Sequence, residues 1–207
     1  MSNESNSYKL TYFPIKALAE PIRFLLKYGE IEFEDFRLDV AQWPNVKDKM
    51  PFGQVPVLEM DGKMVHQSVA ISRYLAKLTN LTGNNDLENL EIDAIVDTIT
   101  DFRSKIAVFN TEKDDTRKEV LKDNLTKETI PYYLTRFDSI TAANDGYLAI
   151  GRLTWADLYF VSLLDYCNGV LKKDIIAEYS NLVKLREKVL AIPSIKQWLL
   201  ERPDSEY

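Results

Sequence analysis

Hydrophobic and polar positions follow two different rhythms along this chain, and the change falls near residue 80. In the first part apolar residues come in short runs. Residues 8–13 (Tyr-Lys-Leu-Thr-Tyr-Phe) are rich in strand formers and alternate loosely, and Pro14, lacking an N–H, stops the pairing. Ile22, Leu25 and Leu26 then share one face of a helix over residues 18–29, with Gly29 as the expected C-cap. Residues 33–38 read as a second strand, and 42–50, holding Trp43-Pro44 and two lysines, as an irregular loop. Two short strands follow around Asp61-Gly62, a pair suited to a hairpin turn, and a helix opens on Gln67-Ser68 and runs to about Lys77. The order β-α-β, then β-β-α, predicts a small α/β layer on one mixed sheet.

Beyond Asp86 the period becomes helical throughout. Ile92, Ile95, Ile99, Phe102, Ile106 and Phe109 are spaced 3, 4, 3, 4 and 3 apart, one apolar seam along a long helix. Further helices are predicted over 116–143, 154–168, 172–179 (short), 182–191 and 193–201, the last with Pro193 near its first turn. The polar stretch 79–85 is the expected linker between a first domain, 1–80, and a second, 86–207. Thr154-Trp155-Ala156-Asp157 reads as a capping box, with Leu153 and Leu158 as its hydrophobic staple. That is a structural assignment, not a catalytic one.

Composition narrows the function. The net charge is −6 and no basic run of five or more occurs, which argues against nucleic acid or an anionic membrane as partner. Residues 1–7 have neither a basic start nor an apolar stretch, and no apolar run nears the roughly 18 residues of a membrane helix, so a soluble protein with no leader is expected. A single cysteine, Cys167, forms no internal disulfide and fits a reducing cytoplasm; its apolar helical setting reads as a buried thiol. His66 is the only histidine, which excludes His-dependent triads and multi-His metal sites; no metal is expected. No Cys-x-x-Cys follows the first strand, against disulfide exchange, and the seven glycines form no phosphate loop.

The most informative residues are Gln54-Val55-Pro56 and Gln67-Ser68. Pro56 is tolerated at the first position of a strand, and held there it leaves the Val55 N–H and C=O facing away from the sheet, free to pair with an extended peptide. Gln67-Ser68 at a helix start add orphan N–H groups and a positive dipole end, suited to a carboxylate. A backbone slot beside a carboxylate pocket suits a small peptide.

Six collinear strings carry a family resemblance. They are Tyr8 to Phe13; Asp39 to Pro44 with Trp43; Pro51-Phe52-Gly53-Gln54-Val55-Pro56; His66-Gln67-Ser68 with Ala70 to Leu75; Asp93-Ala94-Ile95-Val96-Asp97; and Thr154 to Asp157, and the likeness runs on to Arg202-Pro203. Together they resemble the glutathione transferases of the sigma class, the group that includes insect enzymes, glutathione-dependent prostaglandin D synthase and the lens S-crystallins. The resemblance implies a thioredoxin-like β-α-β-α-β-β-α domain followed by an all-helical one, glutathione as co-substrate, and a homodimer acting on small hydrophobic electrophiles. It implies Tyr12 as the catalytic hydroxyl. A thiol with a pKa of about 8.5 needs roughly 2.7 kcal/mol to lose two units, and one hydrogen bond to a charged group supplies about 1.5–3. Trp43, Lys47, Gln54, Val55, Pro56, Gln67 and Ser68 match its glutathione-binding positions, with Asp101 reaching the glutathione of the partner subunit. Phe13, Ile15, Arg103, Val108 and Tyr159 match the electrophile pocket, whose mix of aromatic, aliphatic and cationic groups suits unsaturated lipid aldehydes or hydroperoxides.

Three positions depart from the family pattern. Leu18 stands where many sigma members carry an arginine that supports the tyrosine. Val108 and Thr100 replace the tryptophan and the additional acidic residue of prostaglandin D synthase, which weakens a prostaglandin-type isomerase as the alternative. The other alternative is a structural or ligand-binding protein on the same scaffold, like the S-crystallins; Tyr12, the full binding set and the short connection at 110–115 favour an enzyme.

Overall fold

The structure, a computed structural model, describes residues 7–205. Residues 1–6, which carry most of the leader argument, lie outside the described part. Strand β1 (Tyr8–Tyr12) sits inside a four-stranded sheet of order β2-β1-β3-β4, parallel to β2 (Glu34–Arg37) and antiparallel to β3 (Val57–Met60), with β4 (Lys63–His66) at the edge. Leu10 and Leu58 face each other across the β1–β3 ladder and are fully buried. The hairpin turn is the expected one, with Asp61 and Gly62 both at positive φ (50° and 81°), where glycine is at ease and aspartate is tolerated.

Helices α1 (Glu20–Tyr28) and α3 (Ser68–Leu78) pack on each other and on the second half of the chain. Gly29 does cap α1, yet its own φ is −81°; Glu30 takes the left-handed turn at 51°. The glycine is needed there because a Cβ would strike Thr79 Cγ2. Residues 40–53 are not irregular. They form successive helical turns around α2 (Trp43–Val46), since Asp39 accepts the Ala41 N–H (2.9 Å) and Pro44 stands at a first-turn position that needs no donor.

From Asp86 on, every regular element among the described residues is a helix, as the period requires. Helix α4 (Asp86–Thr111) starts on Asn85, which accepts the Glu88 N–H at 3.0 Å. Its buried stripe is Ile92, Val96, Ile99, Phe102, Ile106 and Phe109, so Val96 takes the place expected for Ile95, which lies half-buried on the flank. The run expected at 116–143 is α5 (Asp115–Asn124) and α6 (Ile130–Ala143) joined by a π turn over Leu125–Thr129. The wide turn falls just before Pro131, which has no N–H to return to the preceding turn. Helix α7 (Trp155–Leu171) is buried on nearly every side, and α8 (Ser180–Leu190) and α9 (Pro193–Glu201) close the bundle.

The short helix expected at 172–179 does not form. Lys172 turns left-handed (φ 53°), and side chains take the amides a helix would use: Asn168 Oδ1 accepts from Ile175 N (3.0 Å) and Asp174 Oδ1 from Ile176 N (3.3 Å). Among the described residues no helix is long and apolar enough to cross a membrane.

The capping box at α7 is present and does more than cap. Asp157 is fully buried and accepts from Thr154 N (2.7 Å), Thr154 Oγ1 (3.2 Å) and Leu148 N (2.8 Å), so one carboxylate ties the preceding loop to the helix start. Burial pushes this carboxyl up to about 6, against the pull of those donors. Asp157→Ala should lower the unfolding free energy by about 2–5 kcal/mol in denaturant titration, because it leaves two buried N–H groups unpaired. The folded value lies above the roughly 3.9 of an unfolded aspartate, so stability tied to this proton is complete below that pH and lost as pH rises through about 6. The stability of the native chain relative to Asp157→Asn should therefore fall by up to about 3 kcal/mol from about pH 4 to pH 7.

Candidate functional site

Tyr12 ends β1 and is 6% exposed. The chain then leaves the sheet through a tight loop in which Ile15 N donates to Phe13 O at 2.7 Å, and Arg23 Nη1 holds Ile15 O at 2.9 Å. The loop turns into α1 through Ala17–Ala19, which brings the Leu18 N–H onto the Tyr12 phenol oxygen. Burial raises the phenol pKa above its ordinary 10; Arg103, that Leu18 N–H and Arg23 pull it down and only partly offset the rise. Tyr12 is thus a neutral donor at physiological pH, with its oxygen already accepting from the backbone.

Leu18 connects Tyr12 to one cleft, which it lines together with Gln54, Val55, Pro56, His66, Gln67 and Ser68; Tyr12 itself is not in that lining. The Val55–Pro56 bond is cis, and the β3 ladder starts only at Val57, so Val55 stands outside it. Gln67 adopts φ 74° just ahead of α3, and Ser68 opens the helix. The first intrahelical bond is from Ile71 N to Gln67 O, so the amides of Ser68 to Ala70 are the free donors of that helix end. The other expected residues come in from α2 and the turn after it. Trp43 meets Phe13 edge-on at 5.3 Å, and Phe13 meets Tyr12 at 5.7 Å. The exposed Lys47 lays its aliphatic stem against Gly53, next to Gln54.

Of the five residues expected around an electrophile, Phe13 and Ile15 are half-buried on the loop after β1, and Val108 on α4 is 54% exposed. Arg103 lies inward, its guanidinium 5.1 Å from the Tyr166 ring centroid, and its Nε is buried without a hydrogen-bond partner. Tyr159 is set back. It is 1% exposed, and its hydroxyl lies 3.3 Å from Thr100 Oγ1 and within a hydrogen bond of Ser68, so it supports Ser68 from behind and shows no face to solvent. Asp101 is exposed on α4, outside the cleft lining. It shares a stripe with Leu87, Leu90, Ala94 and Asp97, all exposed, and Asp93 is paired within the chain by Arg73 Nε at 2.9 and 3.0 Å.

Three contributors were not read as site residues from the sequence. Leu18 acts through its backbone, which its side chain does not advertise. His66 lines the cleft and stacks 5.0 Å from Phe52, although its position as the residue before Gln67 was a usable signal. Tyr166, under Arg103, is seven residues after Tyr159 and so on the same face of α7. Cys167 is buried as expected, its thiol pushed up to about 12 by burial.

A thioredoxin-like sheet carrying a cis-proline cleft, followed by an all-helical half, defines a glutathione-handling protein, and comparison with known proteins agrees. Residues 8–77 match the glutathione S-transferase N-terminal domain, and 100–202 the C-terminal domain. A glutathione S-transferase of Anopheles gambiae is 49% identical over 199 residues, 96% of this chain and 98% of that protein. The hematopoietic prostaglandin D synthase of Rattus norvegicus is 40% identical, over 97% of this chain and 98% of its own. A solved structure of prostaglandin synthase D from Nilaparvata lugens superposes with a TM-score of 0.93 at 46% identity, covering 96% of this chain and all of that one. The chain belongs to the glutathione S-transferase family and is a glutathione transferase.

Arg23 is fully buried and donates to Ile15 O, Glu20 and Asp35. Arg23→Met should cost about 3–5 kcal/mol in urea denaturation, since it leaves buried Glu20 short of charge and the Ile15 carbonyl without its donor. Arg23→Lys should recover only part, because one ammonium cannot reproduce the planar fork that spans three acceptors.

Proposed function

We propose that the cleft binds glutathione and that the Tyr12 hydroxyl donates a hydrogen bond to the sulfur, stabilising the thiolate while keeping its own proton. The observation that carries this reading is Tyr12: neutral by burial, its oxygen held by the N–H of Leu18, which itself lines the cleft that ends at a helix N-terminus. In this reading Val55 pairs through its backbone with the peptide, and Pro56 keeps Val55 out of the sheet. Gln67, Ser68 and the α3 amides take the γ-glutamyl carboxylate, Lys47 the glycyl carboxylate, and Trp43 and Gln54 close the sides. Lacking an arginine at position 18, the site relies on the Leu18 amide and on Arg103 for electrostatic support. The electrophile sits against Phe13, Ile15, Arg103 and Val108, a lining that favours amphipathic electrophiles such as unsaturated lipid aldehydes. We assign the chain to the sigma class, to detoxification in the cytoplasm, and to a division at residues 79–85.

A symmetric homodimer is part of the same proposal. Phe52 is 85% exposed, and the α4 stripe adds Leu87 and Leu90 at 64% and 63%. Exposed apolar side chains in line with Asp97 and Asp101 favour a covered face, across which Asp101 meets the partner's glutathione. A prostaglandin-type isomerase is the weaker reading, because Thr100 is committed to Tyr159.

Turnover of a chloronitrobenzene with glutathione tests the enzyme reading against a purely structural role; no turnover, or no binding of millimolar glutathione in calorimetry, would sink it. Tyr12→Phe should lower kcat by about 10²–10³ with glutathione affinity little changed, the loss expected for one preorganised donor. Asp101→Ala should weaken glutathione binding by about 1.5–3 kcal/mol with thermal stability nearly intact, and sedimentation should find a dimer at micromolar concentration. A fully active monomer would rule the shared site out. Activity toward hydroxynonenal no higher than toward compact nitro-aromatics would end the lipid preference.

A further inference from the structure

Helices α1, α7, α8 and α9 leave between them a cavity of about 200 Å³ that shares no lining residue with the cleft at Tyr12. Phe24, Val161 and Leu164, each under 5% exposed, form its apolar floor, and Leu190 and Leu199 flank it. Its polar lining is not balanced. Asp165 Oδ2 accepts from Arg202, which also donates to Glu20 at 2.8 Å, and Asp165 Oδ1 is the one carboxylate oxygen of the lining left over. Asn168 gives its Oδ1 to the Ile175 N–H, which fixes the amide and leaves the Nδ2 donors as its other end. Arg186 gives Nη1 to Asp174 at 2.8 Å, one of the five donors of a guanidinium. Donors therefore outnumber uncommitted acceptors around an apolar floor.

We propose that this cavity binds a small monocarboxylate with a single ring or short chain as its apolar body. The body lies on Phe24, Val161 and Leu164, and the carboxylate is held by Asn168 Nδ2 and Arg186. Size supports a compact occupant, since an apolar cavity of about 150 Å³ already takes benzene. A carboxylate is the head group a guanidinium and an amide NH₂ can hold together, while a cation would meet one uncommitted Asp165 oxygen against the two guanidinium groups of Arg186 and Arg202. Because α7 presents Tyr159 and Tyr166 to the catalytic side and Val161 and Leu164 to this cavity, both sites can be filled at once.

Fluorine NMR titration of a fluorinated phenylacetate, with the protein saturated by S-hexylglutathione, tests the proposal. Saturable millimolar binding is expected, weakened about tenfold by Arg186→Met and by replacing the acid with its neutral amide, as befits one charge-assisted contact. Leu190→Trp should block binding by filling the space, while chloronitrobenzene turnover in both variants stays that of the native chain, showing the fold intact. No saturable binding, displacement by S-hexylglutathione, equal affinity for acid and amide, or unchanged affinity in the folded variants would each overturn it.

Discussion

A chain of buried charge holds this molecule in one arrangement. Glu20 and Arg23, both fully buried on α1, bond each other at 3.0 Å; Arg23 reaches Asp35 on β2, and Glu20 accepts from Trp198 Nε1 (2.9 Å) and Arg202, which continues to Asp165 on α7. Glu20 and Arg23, this far from water, persist as ions only because each is paired. The consequence is positional. Sheet, first helix, central helix and last helix must meet in one register, because any shift strands a charge. The same network ends on the Ile15 carbonyl, so the loop that sets the Tyr12 environment is tied to the core of both halves.

Tyr12 shows how such a frame tunes a weak acid. Burial keeps the proton on its phenol, as donation to an anion requires. Arg103, the Leu18 amide and Arg23 oppose that without cancelling it, so the hydroxyl stays protonated yet is polarised toward donation. None of the three touches through a long flexible contact. Leu18 is backbone in a loop fixed by Arg23, and Arg103 is pinned over Tyr166. Preorganised groups of this kind need no reorganisation when negative charge appears beside the hydroxyl.

Helix α7 is the other fixed reference. Asp157 anchors its start to the 148–154 loop, the Trp155 backbone N–H donates to Leu81 O between α3 and α4, and the Trp155 ring centroid lies 5.5 Å from the guanidinium of Arg73. Tyr159, one turn on, lies under Ser68. A helix start that looks purely structural thus sets the position of the head of α3.

Much of this was legible in the chain itself. Periodicities of two and of three-to-four separate sheet from bundle, the Asp61-Gly62 pair demands a tight turn, and Thr154 with Asp157 encodes a cap, because each depends on neighbours within a few residues. Gln54, Val55, Gln67 and Ser68 were grouped by their own local chemistry, while Tyr12 was joined to them only through six strings in register. Tertiary structure decided the rest. Residues 172–179 have helical spacing, but Asn168 and Asp174 captured their amides, and local pattern cannot rank those bonds against a helix. Tyr159 has an aromatic's claim to a pocket, but packing against Thr100 and Ser68 buried it. The role of Leu18 resides in a backbone N–H, which every residue but proline carries, so only the path of the folded chain could point it at Tyr12.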